Sequence, residues 1–95
     1  MAKITANELA AVAKKIMGLV TQFDIEVKVS EPNVIALLIP DDMSFNDQAA
    51  MAEFARQILL TAGVHLYADL EFVFFKADIV LGSVVIHGLS REQLN

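Results

Sequence analysis

The chain has 95 residues, 56% of them hydrophobic and 20% charged, with a mean hydropathy of +0.54 and a formal net charge of −5. A chain of that length and composition predicts one α+β domain over residues 1–95, excludes a disordered segment, and offers no basic surplus to a nucleic-acid partner. Residues 1–40 balance four lysines against four acids, so residues 41–95 carry the whole −5. No cysteine is present, which removes disulfides, thiol chemistry and cysteine-ligated zinc. No uncharged apolar run approaches the roughly 20 residues of a membrane span, and Lys3 is followed by Thr5, Asn7 and Glu8 rather than by the apolar core of a secretory signal. The expected setting is the cytoplasm, with no membrane partner.

Thr5 followed by Glu8 has the form of a capping box, with Ile4 and Leu9 at the hydrophobic-staple positions around it. Leu9, Val12, Ala13, Ile16 and Val20 then recur at three- and four-residue spacing, which predicts an amphipathic helix over about 6–22. The run "DIEVKVS" alternates: Ile25, Val27 and Val29 face one way, and Asp24, Glu26, Lys28 and Ser30 the other. That is a strand with one wet face, and its charges suit a sheet edge. Pro32 and Asn33 supply a turn. Val34 to Ile39 are apolar without a break and read as a central strand, ended by Pro40.

Ser44, with Asp47 three residues on, predicts the cap of a second helix. Phe45, Met51, Phe54, Ala55, Ile58 and Ala62 form its apolar face, and Gly63 stands where a glycine ends a helix. Two further strands are expected, about 67–75 and 79–87, joined by a turn at "KAD", residues 76–78. The tail "SREQLN" reads as one helical turn or a frayed end.

The predicted order is α-β-β-α-β-β. The simplest packing is a two-layer sandwich: a four-stranded antiparallel sheet with two helices on one face. In strand order 3-4-2-1 this is a ferredoxin-like sheet in circularly permuted order. The two least polar strands, "VIALLI" and "IVLGSVVI", are then central.

Two helices cover one face of a sheet, and the other should be polar in a monomer. The last two strands break that rule. The open face is expected to hold Val73, Phe75, Leu81 and Val85, rimmed by Glu71, Ser83, His87, Glu26 and Lys28. An apolar centre with a polar rim has the anatomy of a protein interface. The bland alternative is that the chain covers this face itself. A second copy is the most economical partner, and another protein the next.

Catalytic and metal chemistry find little support. Asp41, Asp42 and Asp47 cluster near the start of the second helix without the spacing of a calcium loop, and read as turn and helix-terminus chemistry. Together with Glu53 they form an acidic patch that would suit a basic protein surface. His65 and His87, with Asp69 or Glu71, contain the elements of a two-histidine, one-carboxylate site, but strand-end histidines more often bind nothing. The serines read as turn, cap and strand residues, and the four glycines are dispersed, so no nucleophile elbow or phosphate-cradling loop is present. No cofactor is expected.

The leading expectation is a non-enzymatic interaction module, either an assembly component or a stoichiometric inhibitor. The alternative is a small-ligand-binding or enzymatic domain with a pocket at a dimer interface, using His87, Glu71 and Ser83. Fold alone does not choose between them.

Overall fold

The computed structural model describes residues 4–30 and 32–88. They form α1 (Ala6–Val20), a 3-10 turn (Thr21–Phe23), β1 (Glu26–Ser30), β2 (Val34–Leu38), α2 (Gln48–Thr61), β3 (Leu70–Lys76) and β4 (Ile79–Ile86). The architecture is α+β, with two helices and a four-stranded sheet.

The capping box at α1 is complete. The Glu8 amide donates to Thr5 Oγ1 and the Thr5 amide donates to Glu8 Oε1, both at 3.1 Å, which satisfies two of the donors a helix start leaves orphaned. Leu9, Ala13, Ile16 and Val20 give α1 its buried stripe. Asp24, at φ 60, reverses the chain into β1.

The start of α2 differs from the expectation. Asp47, not Ser44, is the N-cap, its carboxylate accepting from the Ala50 amide at 2.9 Å. Phe45 therefore precedes the helix and packs edge-on against Phe54 and Phe74, at 5.2 Å from each ring centre. Gly63 closes α2 as expected. At φ 71 it takes the left-handed conformation, with Gly63 N donating to the Leu60 carbonyl and Val64 N to that of Leu59. That is a Schellman motif.

The sheet order is β1-β2-β3-β4, and β2 and β3 run parallel. This corrects the antiparallel, ferredoxin-like permuted expectation with its order 3-4-2-1. The reason is the crossover: α2 carries the chain back to the end of the sheet where β2 began, so β3 starts beside it. The Glu71 amide donates to the Asn33 carbonyl at one end of the pair, and the Ile39 amide to the Phe75 carbonyl at the other, both at 2.9 Å. Parallel neighbours need a connection of this length. The central strands are β2 and β3, so β4 lies at an edge.

One core lies between the layers. Ile35, Leu37, Leu70, Phe72 and Phe74 are fully buried and meet the stripes of α1 and α2.

Candidate functional site

Cross-strand partners share a face of the sheet, so the register defines the face away from the helices. Its three rows are Ser30, Val34, Glu71 and Val85; Lys28, Ala36, Val73 and Ser83; and Glu26, Leu38, Phe75 and Val80. Val34, Ala36, Leu38, Val73 and Phe75 are half-buried by their neighbours alone, while Val80 and Val85 are exposed. Both helices belong to the opposite layer, so among the described residues no helix or strand covers this face.

Of the residues expected here, Val73, Phe75, Val85 and Glu71 lie on the face. Leu81 does not follow. A register irregularity between Phe74 and Phe75 sets Val80 opposite Phe75 and leaves Leu81 as the extra residue of a bulge. Leu81 instead lines a cleft of about 360 Å³ with Ser44, Asp47, Gln48, Met51 and Lys76, at the start of α2. Strict alternation along β4 predicts the opposite assignment for the two residues; Gly82, a glycine in mid-strand beside the bulge, is the residue type that marks such a feature in advance.

Of the expected rim residues, Glu26, Lys28, Glu71 and Ser83 lie on this face and His87 follows at the end of β4, but β4 itself carries no charge. Ile79 is 66% exposed, Val80 56%, Leu81 38% and Val85 49%, and no charged residue occurs from Ile79 to Ile86. The apolar patch runs off the sheet at the β4 edge.

His87 and Asp69 extend the β3–β4 register by one step. His87 Nδ1 lies 3.2 Å from Asp69 Oδ2, and the Gly88 amide donates to Asp69 Oδ1 at 3.1 Å. The Gly88 amide, and after it the His87 ring, hold the Asp69 carboxyl below its usual range. Gly88 passes so close to Ala68 that a β-carbon would stand 2.3 Å from the Ala68 nitrogen, so only glycine fits. This latch fixes the end of β4 against the start of β3.

His65 is exposed in the segment before β3. Among the described residues no group of three histidine, cysteine or carboxylate side chains is placed to hold a metal ion. Asp41, Asp42, Asp47 and Glu53 are exposed, on and before α2 and away from the open face. Asp47 is committed to its cap, and Glu53 bonds Gln57 and lies 3.5 Å from Arg56. No described helix is long and apolar enough to cross a membrane. The helical turn expected from Ser90 lies outside the described residues.

Comparison with protein-family models, with curated proteins and with solved structures gives no match.

Proposed function

We propose that this chain is a non-enzymatic protein–protein interaction module of the cytoplasm, an assembly component that self-associates through the apolar patch of its sheet. The observation that supports the reading is the patch itself: Val34, Ala36, Leu38, Val73, Phe75 and Val80 adjoin one another across three strands, with Val85 beyond Glu71 and Ser83 at the β4 edge. Apolar patches of this kind mark interaction surfaces. The partner is a second copy of this chain, met where the patch reaches the β4 edge: β4 carries no charged residue, so a two-fold contact there opposes no like charges.

Replacing Val85 by lysine tests this. Val85 is about half exposed, so the monomer tolerates the change, while two copies would meet lysine to lysine. The expected result is wild type at twice the monomer mass and Val85→Lys at the monomer mass, with unchanged circular dichroism and melting. A wild type that stays monomeric, or a Val85→Lys chain that unfolds, overturns the reading.

A further inference from the structure

We infer that the second copy is seated along the β4 edge, antiparallel to β4 and related by a two-fold axis through Val85, so that two sheets of four strands become one of eight. The inference rests on the self-association reading and specifies its geometry.

Along a strand, the amide and carbonyl of one residue point to the same side, and those of the next to the opposite side. Glu71 donates its amide toward β2, and Phe75 accepts at its carbonyl from the β2 side. Leu70, Phe72 and Phe74 therefore bond toward β4, where their partners are Ile86, Val84 and Gly82. That leaves Ser83 and Val85 pointing away from the sheet. An independent contact agrees: the Ser83 carbonyl accepts from Gln48 Nε2, on the outer side, at 2.6 Å. The amide and carbonyl of Val85 have no protein partner among the described residues.

Such an edge is a template for another strand, and proteins blunt it with charge, proline or brevity. β1 is blunted: it is five residues long and carries Glu26 and Lys28. β4 is eight residues long and carries neither charge nor proline. Among the described residues its one guard in the sheet plane is Gln48, on the Ser83 carbonyl, and its bulge lies at the other end, near Leu81.

The choice of a second copy follows from symmetry. Centred on Val85, the pairing sets Val85 opposite Val85 of the partner subunit and Ser83 opposite His87 of the partner subunit. No like charges meet unless His87 is protonated, and then it faces a serine. The outer edges of the joined sheet are both β1, charged at each end, so the assembly closes at two copies.

The chain has no cysteine, so single cysteines report contacts cleanly. In a hydrogen-bonded antiparallel pair the facing Cα atoms are about 5.5 Å apart, within disulfide reach of about 4.4–6.8 Å. Val85→Cys is expected to cross-link to a dimer on mild oxidation, and Val73→Cys, three strand spacings across and four residues along, or about 20 Å, from its copy, to remain single. Cross-linking of Val73→Cys without Val85→Cys means face-to-face stacking: self-association stands and the edge geometry falls. If neither cross-links and the wild-type mass is that of a monomer, both fall. Val85→Pro is the control for folding. It removes only an outward amide, which an edge strand tolerates, and is expected to give a folded monomer.

Discussion

Gln48 Nε2 donates to the Ser83 carbonyl at 2.6 Å, from the first turn of α2 to the outer side of β4. The contact occupies a carbonyl that an incoming strand would use. Removing it should have opposite effects on the monomer and the assembly. Gln48→Ala is expected to cost at most about 1 kcal/mol of monomer stability, as an exposed hydrogen bond does, while tightening self-association by about two- to five-fold. Sedimentation across a dilution series reads the second quantity. Weakened association would mean that Gln48 supports the contact surface rather than guarding it.

Val73 separates the face from the edge. It lies on the open face of a central strand, opposite Ala36 and Ser83. Val73→Lys is expected to leave the solution mass unchanged, because its side chain does not reach the two-fold axis, whereas Val85→Lys halves it. A monomeric Val73→Lys protein with native circular dichroism would move the contact onto the face.

The Asp69 latch carries a pH dependence with a definite sign. Its carboxyl is held below the usual value by the Gly88 amide and the His87 ring. A carboxylate depressed in the folded state contributes stability above its unfolded pKa, about 3.9, and loses it as pH falls through the lower folded value. Hydrogen exchange at the Gly88 amide should therefore show constant protection relative to the core from pH 7 to about 4, and loss only below. Asp69→Ala should lose that protection at every pH. Loss that begins well above pH 4 would contradict the assignment to the Asp69 carboxyl.

The core makes a simpler demand. Phe74 is fully buried and meets Phe45 and Phe54 edge-on. Phe74→Ala is expected to cost about 3–5 kcal/mol, a large part of the roughly 5–15 kcal/mol of a typical domain. Chemical denaturation reads it, and a cost below about 1 kcal/mol would contradict the packing described.

Much of the local structure is legible in the residues. Thr5 and Glu8 announce the start of α1, Gly63 the end of α2, and the alternation of Glu26 to Ser30 an edge strand. These signals are local, and the chemistry of a cap or a left-handed turn admits few alternatives. The start of α2 is less clear because Ser44 and Asp47 are both good caps; Phe45 decides it by leaving the helix to join Phe54 and Phe74. The strand order is not legible, since apolar runs look alike in parallel and antiparallel pairs. β4 is the instructive case. Its lack of polar residues suggests burial on both faces, yet it lies at the edge with Val80 and Val85 exposed. Within the candidate site, the bulge exchanges Val80 for Leu81, a backbone event that Gly82 marks in the sequence without fixing which neighbour is displaced.

Absolute mass by light scattering over a concentration series reads self-association itself. The weight-average mass is expected to rise from the 10.4 kDa of one chain toward twice that value and to level there, since the charged β1 edges admit no further strand. A mass that stays at one chain up to the highest concentration reached would contradict it.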